Sequence, residues 1–392
     1  MKTYNVKSYR TPLYRDAGFL LKDIPTAQKA FSDEQSLPIT PELYIYSRYR
    51  NPTVVAAEEY LASIEGSQWS LLCQSGMAAI DIALSVFQRA NHKCKWAFFT
   101  EIYGGTNSYI DSILVSRRGV DAVRFSPSGE AYSNVEFDSF MTTHKPDVVF
   151  FEVISNPMLI VADAVEIIRI AKKYGAAVVV DNTFATPYLF KPLDFGADLV
   201  IHSATKYLSG HGNLSAGVVS GNSPELARSA IEYRKLVGHM LSPDDAYRLH
   251  DMLKTFNLRI NRHFENAATV AKFLSASSKV EKVIFPGMGY HPSHEVASKL
   301  FEGRGFGGIV TFDLKGASFE DKQKKCNEFI NAVSDSIPLI PTLGDADTIL
   351  MPVEPVWGDK YPFPGMIRLS LGIENGQEIT RVISQGLDAV GS

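Results

Sequence analysis

Two polar residues lie where predicted apolar strands end. Asp181 closes one apolar run, and Lys206 follows another, with the hydroxyl residues Ser203 and Thr205 just before it. A lysine amine that forms a Schiff base and a carboxylate that keeps a pyridine nitrogen protonated are what pyridoxal 5′-phosphate (PLP) requires of a protein. The two hydroxyl groups are placed to reach its phosphate. Each residue alone also fits a helix cap or a solvated charge, but together the four predict a PLP site.

A second segment that is predicted to bind the phosphate is the turn between a strand at 69–73 and a helix at 77–87. The amides of Gly76 and Met77 are expected to point from the helix N-terminus toward an anion, with the Ser75 hydroxyl as a further donor. An ordinary serine N-cap explains the same residues. The phosphate interpretation therefore depends on the presence of Lys206.

The composition favours a cytoplasmic enzyme that acts on small molecules. The chain has 392 residues, 45% hydrophobic and 21% charged, with a net charge of −4, so we expect two domains and neither nucleic-acid nor membrane binding. The N-terminal segment has no apolar core of signal-peptide length, and no apolar run is long enough to span a bilayer. Cys73, Cys94 and Cys326 are scattered, which suits a reducing compartment and predicts no metal cluster.

The alternation of apolar runs and helical stripes predicts an α/β fold with a large, mainly parallel sheet. The predicted strands lie at 69–73, 147–151, 177–180, 199–201 and 217–220, with helices at 51–66, 77–87 and 164–174. Ligands of such sheets bind at the carboxyl ends of the strands, so we expect Ser75, Asp181 and Ser203 to converge on one edge.

The rest of the chain predicts an arm and a second domain. A stripe over 243–274 predicts one helix of about eight turns that bridges two domains. Strands at 310–314 and 367–373 and helices at 319–333 and 378–390 then predict a smaller C-terminal α/β domain. We expect an arm at 1–47 with at most short helices, a PLP-binding domain at 48–245 and a C-terminal substrate or cap domain at 246–392.

Two motifs are not interpreted as sites. Residues 303–308 fit G-x-G-x-x-G but lead into a predicted strand, whereas a dinucleotide fingerprint opens a helix. His291 and His294 have no matched ligand pair elsewhere, and a helix start at Pro292 explains them better. We therefore predict no nicotinamide and no metal.

Four further segments carry specific motifs. They are Tyr46-Ser47-Arg48, Tyr103-Gly104-Gly105-Thr106, Ser155-Asn156-Pro157 and Ile367-Arg368-Leu369-Ser370. With the segments around Asp181 and Lys206, they make residues 44–385 similar to the Cys/Met-metabolism PLP-dependent family of transsulfuration enzymes. That resemblance implies an aspartate-aminotransferase-like fold (fold type I), a bound PLP, and a homodimer or homotetramer with shared active sites.

The resemblance also implies roles for individual residues. Tyr46 and Arg48 would bind the phosphate in the neighbouring subunit, Tyr103 would stack on the coenzyme ring and protonate a leaving group, and Asn156 would lie near the phenolic oxygen of PLP. Arg368 would bind the substrate α-carboxylate, an interpretation that strand alternation also allows, although a surface ion pair fits alternation equally well. Thr342, where the family usually has a serine, is a further candidate for substrate binding.

The expected chemistry begins with proton removal from Cα by Lys206, while Asp181 supports the coenzyme as electron sink. If the leaving group is on Cγ, Lys206 can carry a second proton from Cβ and Tyr103 can protonate the departing thiol. The resemblance thus implies α,γ-elimination or γ-replacement on methionine, cystathionine or O-acylhomoserine substrates. β-Elimination, as in a cystathionine β-lyase or cysteine desulfhydrase, and a non-catalytic PLP-binding protein are the alternatives.

The motifs that distinguish the subfamilies do not all indicate the same subfamily. Segments 204–212 and 343–347 resemble methionine γ-lyases, but those enzymes typically have a cysteine where Gly105 stands. The loop at 351–357 departs from the segment common in the family. Because this loop shapes the distal end of the substrate pocket, the sequence leaves the leaving group open.

Overall fold

The computed structural model describes residues 8–89 and 94–391, and its larger sheet has seven strands. The strands are β1 (Trp69–Cys73), β2 (Lys95–Phe99), β3 (Asp121–Phe125), β4 (Val148–Glu152), β5 (Ala177–Asp181), β6 (Leu199–Ser203) and β7 (Gly217–Gly221). Their order is β1-β7-β6-β5-β4-β2-β3, and β7 runs antiparallel to both of its neighbours while the other pairs are parallel. The predicted mainly parallel sheet is confirmed.

Helices pack around this sheet and around a second one. They are α1 (Ile24–Gln35), α2 (Pro52–Glu65), α3 (Gly76–Ser85), α4 (Gly104–Tyr109), α5 (Asn134–His144), α6 (Ala164–Lys173), α7 (Thr186–Leu189), α8 (Pro224–Val237), α9 (Pro243–Leu253), α10 (Phe256–Ser275), α11 (His294–Phe301), α12 (Phe319–Val333), α13 (Glu354–Trp357) and α14 (Gly376–Ala389). A π-helical turn covers Ile110–Val115, and 3₁₀ turns cover Pro192–Phe195 and Gly358–Lys360. Among the residues described, no helix is both long and apolar enough to cross a membrane.

The smaller sheet lies in the C-terminal part of the chain. Its strands are β8 (Val280–Ile284), β9 (Ile309–Leu314), β10 (Ile349–Pro352) and β11 (Met366–Ser370), ordered β10-β11-β9-β8 and antiparallel throughout. Buried residues of α10, α12 and α14 form a hydrophobic core with it that is separate from the core of the larger sheet. Residues 303–308 lead directly into β9, as predicted, so they do not have the context of a dinucleotide site.

The single long helix predicted for 243–274 is wrong. The stripe is divided into α9 and α10, and Thr255 between them has φ −105° and ψ 6°. The Met252 carbonyl accepts bonds from the Thr255 amide and from Arg259 Nη2, which also donates to the Leu208 carbonyl. The end of α9 is thus satisfied by a buried guanidinium, which apolar periodicity does not reveal.

The N-terminal arm contains more helix than predicted. α1 has 12 residues, begins after the Asp23 N-cap, whose side chain accepts from the Thr26 amide, and buries Ala30 and Glu34. Because Glu34 forms an ion pair with Lys235 of α8, tertiary contacts stabilise a helix whose apolar period is weak. The predicted arm also includes residues 1–7, which lie outside the described part of the chain.

The predicted helix start at Pro292 is shifted. α11 begins at His294 with Ser293 as its N-cap, and the Ser293 amide donates to His291 Nδ1. Across residues 8–89 and 94–391, no group of three or more potential metal-ligating side chains is found.

Candidate active site

A cavity of about 470 Å³ opens at the carboxyl ends of the central strands of the larger sheet, beside the smaller sheet. Eleven of the residues singled out in the sequence line it. They are Ser75, Gly76, Met77, Tyr103, Asn156, Asp181, Ser203, Thr205, Lys206, Thr342 and Arg368. The fold therefore brings together residues that are up to 293 positions apart in the chain, from Ser75 to Arg368.

Lys206 lies in the turn after β6, where its amine faces the smaller sheet. Its Nζ donates a hydrogen bond of 2.7 Å to Thr342 Oγ1. Burial, with a smaller contribution from the positive charge of Arg368, lowers the pKa of Lys206 to about 8 from its ordinary value of 10.5. A larger fraction of the amine is therefore neutral near neutral pH than in an ordinary lysine, which favours its action as a nucleophile or a general base.

Asp181 ends β5 and presents a carboxylate to the cavity. Its Oδ1 accepts hydrogen bonds from the Thr183 amide at 3.0 Å and from the Thr183 hydroxyl at 2.6 Å. Burial raises the pKa of Asp181, while the bonds from Thr183 lower it and so oppose that effect. The pKa of Asp181 is raised overall, and a cationic ring nitrogen opposite it would favour its charged form.

The residues that are predicted to bind the phosphate lie close together at the N-terminus of α3. Ser75 caps this helix by accepting from the Ala78 amide at 3.1 Å, so its capping role is present in the structure. A Cβ on Gly76 would lie 2.8 Å from Ser203 Cβ, so only glycine allows the turn and the end of β6 to approach this closely. Thr205 Oγ1 accepts from the Ala216 amide at 3.0 Å. The arrangement places a helix N-terminus and hydroxyl side chains around one end of the cavity.

Arg368 lies on β11 and is only 3% exposed. Its Nη2 donates to the Thr342 carbonyl, and its Nη1 donates to Asn156 Oδ1 at 3.3 Å. Its Nε is buried and has no hydrogen-bond partner among the described residues. Burial lowers the pKa of Arg368 to about 10. A buried guanidinium with an unused donor fits a carboxylate ligand, and the surface ion pair allowed by alternation is not what forms.

Tyr103 precedes α4 at the mouth of the cavity and is 54% exposed. A Cβ on Gly105 would lie 2.4 Å from Cε1 of the Tyr103 ring, so the glycine allows the ring its present position. The Tyr103 amide donates to Glu152 Oε1. The backbone of this tyrosine is thus fixed to the end of β4 while its ring faces the opening.

Glu152 is a site residue that the sequence analysis missed. It ends β4 as the register partner of Asp181, lines the cavity and is 7% exposed. Burial, followed by the nearby charge of Asp181, raises the pKa of Glu152 well above its usual range. Its position as the last residue of an apolar strand, like that of Asp181, was the available signal.

Tyr46 and Arg48 do not reach this cavity. The Arg48 guanidinium lies 5.6 Å from the Tyr46 ring and donates to the Lys235 carbonyl at 2.6 Å. Tyr46 is 40% exposed. Within the described residues of one chain, this pair belongs to an outer surface that α8 also forms.

Comparison with known proteins decides the family. The sequence profile of the Cys/Met metabolism PLP-dependent enzymes matches residues 2–388. The chain belongs to this family. It is 36% identical over 358 residues to a cystathionine beta-lyase of Lactococcus lactis subsp. cremoris (strain MG1363), covering 89% of each chain, and 33% identical over 392 residues to an L-methionine gamma-lyase of Pseudomonas putida, covering 96% and 92%. The crystal structure of cystathionine gamma synthase from Xanthomonas oryzae pv. oryzae superposes with a TM-score of 0.83 at 28% identity, covering 97% and 92%.

Membership of the Cys/Met metabolism family makes the protein a PLP-dependent enzyme with the expected fold. The residues present fit the coenzyme. A buried carboxylate at Asp181, an amine of lowered pKa at Lys206 and a helix N-terminus at Gly76 border the same cavity. When bound, PLP supplies an electron sink that stabilises negative charge at the substrate Cα.

Proposed function

We propose that the enzyme catalyses α,γ-elimination or γ-replacement on sulfur amino acids or O-acylhomoserines, with methionine and cystathionine among the candidate substrates. The observation that carries the proposal is the buried Arg368, which lines the same cavity as Lys206 and has an unpartnered Nε. A guanidinium that binds the α-carboxylate positions the substrate Cα near the lysine amine. The relatives named methionine gamma-lyase and the neighbour named cystathionine gamma synthase support this class of substrate.

Each residue of the site has a proposed role in binding the coenzyme or moving a proton. Asp181 would keep the ring nitrogen of PLP protonated, and the phosphate would be held by Ser75, Gly76, Met77, Ser203 and Thr205. Lys206 Nζ, once free, would remove the proton from Cα, and only after giving that proton up to the coenzyme could it take another from Cβ. When the amine is free, as in this structure, its hydrogen bond to Thr342 Oγ1 fixes its position. Tyr103 Oη would protonate the departing thiolate, and Asn156, whose Oδ1 accepts from Arg368 Nη1, would orient the guanidinium and lie near the phenolic oxygen of PLP.

A product assay tests the proposal. The purified enzyme with PLP is incubated with methionine, cystathionine, cysteine or an O-acylhomoserine, and the 2-oxo acids are separated. We expect 2-oxobutanoate from methionine or cystathionine, or a γ-replacement product when a thiol is supplied with an O-acylhomoserine. If neither 2-oxobutanoate nor a γ-replacement product forms from any of these substrates, the proposal is wrong.

β-Elimination is the second candidate, because the Lactococcus relatives at 36% identity are named cystathionine beta-lyase. It uses the same lysine, but removal of the Cα proton is followed directly by loss of the group on Cβ. Pyruvate from cystathionine or cysteine, without 2-oxobutanoate, would identify it.

We further infer an assembly of at least two chains, with a tetramer of two dimers as the expected form. Tyr46 and Arg48 do not line the cavity of their own chain, so they are available to complete the phosphate site of a neighbour. The arm at 1–47, the PLP-binding domain at 48–245 and the C-terminal substrate or cap domain at 246–392 are the proposed units. A cytoplasmic location is also proposed, on the scattered cysteines.

A further inference from the structure

The 353–365 loop, which joins β10 to β11, forms one wall of the cavity. Val356 and Trp357 of this loop line the cavity, and the Arg368 Cζ lies 5.9 Å from the centre of the Trp357 ring. Trp357 is half-buried, and Val356 is 51% exposed at the opening. The indole ring thus lies beside the group proposed to bind the substrate carboxylate.

The 353–365 loop is fastened to the segment that carries Tyr103. Lys360 Nζ lies 3.2 Å from Glu101 Oε1 and donates to the Thr100 carbonyl at 3.1 Å. The Tyr361 hydroxyl donates to Glu101 Oε2. Because Glu101 is 9% exposed, these bonds are partly shielded from water and hold the wall at a fixed distance from the opposite side of the opening.

Each ionisable side chain that lines the cavity already has a partner or a proposed role. Among the described residues that line it, the charged ones are Glu152, Asp181, Lys206 and Arg368. Lys206 and Asp181 serve the coenzyme, Glu152 accepts the Tyr103 amide, and Arg368 is assigned to the α-carboxylate. The lining residues from 341–343 and 351–357 are otherwise apolar, namely Pro341, Leu343, Met351, Val356 and Trp357, apart from Thr342, whose hydroxyl accepts from Lys206 Nζ.

We propose that Trp357 is a specificity-determining residue that favours amino acids whose side chain ends in an uncharged alkyl thioether. The inference rests on the proposed function and deepens it. A methylthio group gains from contact with this apolar wall. A substrate whose sulfur carries a second amino acid group must instead place an ammonium and a carboxylate against it, which is unfavourable without partners. Trp357 therefore selects against substrates such as cystathionine.

The test compares kcat/KM for methionine and cystathionine in the PLP-loaded enzyme and in Trp357→Ala. We expect the wild type to favour methionine and the variant to reduce the ratio of the two kcat/KM values by about tenfold or more, the scale of lost apolar contacts in a specificity pocket. Trp357→Phe, which retains an aromatic wall, is the matched control and should keep most of the preference. Retained absorbance of the lysine-bound coenzyme shows that the site is intact.

A second variant tests the fastening of the loop. Tyr361 lies outside the cavity, and Tyr361→Phe removes its bond to Glu101, so we expect a smaller shift of the ratio in the same direction. An active wild type that prefers cystathionine, or a ratio unchanged by Trp357→Ala, overturns the inference alone. A wild type that turns over only an O-acylhomoserine overturns the inference but not the proposed function, whereas one that turns over neither a sulfur amino acid nor an O-acylhomoserine overturns the proposed function first.

Discussion

Glu152 and Asp181 lie opposite each other as register partners at the carboxyl ends of neighbouring parallel strands. Two buried carboxylates so placed repel each other when both are charged, and the favourable state has one proton on the pair. The bonds from Thr183 favour the charged form of Asp181, so Glu152 is the group that holds the proton. The structure thus leaves a single negative charge for the coenzyme nitrogen.

This relationship predicts the effect of Glu152→Gln on stability. Since the pKa of Glu152 is raised by folding, the folded chain binds more protons than the unfolded chain from about pH 4.5 up to that raised pKa, and stability falls as pH rises through this window. Glutamine mimics the neutral acid, so the variant should lose less stability between pH 5 and pH 8, measured as the Tm of the PLP-free protein. Glu295→Gln, on the exposed surface of α11, controls for the loss of one carboxylate. Equal pH slopes in wild type and Glu152→Gln would contradict the assignment.

Coenzyme attachment should depend on the ionisation of Lys206. Only the neutral amine reacts, and the pKa of Lys206 is lowered to about 8, so the rate at which PLP binds covalently to the PLP-free protein should rise with pH and level off above that value. Stopped-flow absorbance measures this rate of covalent binding as a function of pH. Arg368→Gln removes a positive charge that lowers the pKa of Lys206, so the midpoint of the rate against pH should move to higher pH.

In Lys206→Ala, both the lysine-bound absorbance and turnover should be lost, and borohydride labelling of another lysine would refute the role of Lys206.

Asp181→Asn removes the charge that keeps the ring nitrogen protonated. We expect kcat to fall by about two orders of magnitude or more, the scale for loss of one preorganised electrostatic partner. Thr183→Val keeps the carboxylate but removes its hydroxyl donor, so it should have a smaller effect on kcat. A near-normal kcat in Asp181→Asn would exclude the electron-sink role.

Shared active sites predict complementation between two inactive variants. If Arg48 completes the neighbour's phosphate site, mixing Arg48→Ala with Lys206→Ala subunits creates hybrid sites in which both residues are wild type. Some activity should then return after subunit exchange, which analytical ultracentrifugation or mass spectrometry of tagged chains can verify. Continued inactivity after verified exchange would mean that each chain builds its own site.

The sequence by itself determined five of the seven strands of the larger sheet, the coenzyme and half of the residues that line the cavity. Apolar runs that end in a polar residue locate Asp181, Ser203 and Lys206, because a buried strand is continuous in sequence and its carboxyl end meets the others at one edge. The structure places all of these at the predicted edge. Local patterns suffice where one segment supplies both the strand and the functional group.

Tertiary structure alone decided the rest. The division between α9 and α10 depends on Arg259, which reaches the Met252 carbonyl, and α1 is stabilised by an ion pair with α8. Glu152 gains its raised pKa from burial beside Asp181, 29 positions away in the chain. Trp357 lines the cavity from a loop that Glu101, more than 250 positions away in the chain, bonds through Lys360 and Tyr361. Burial and ion pairing between distant segments have no local sequence period, and they set the ionisation and shape of this site.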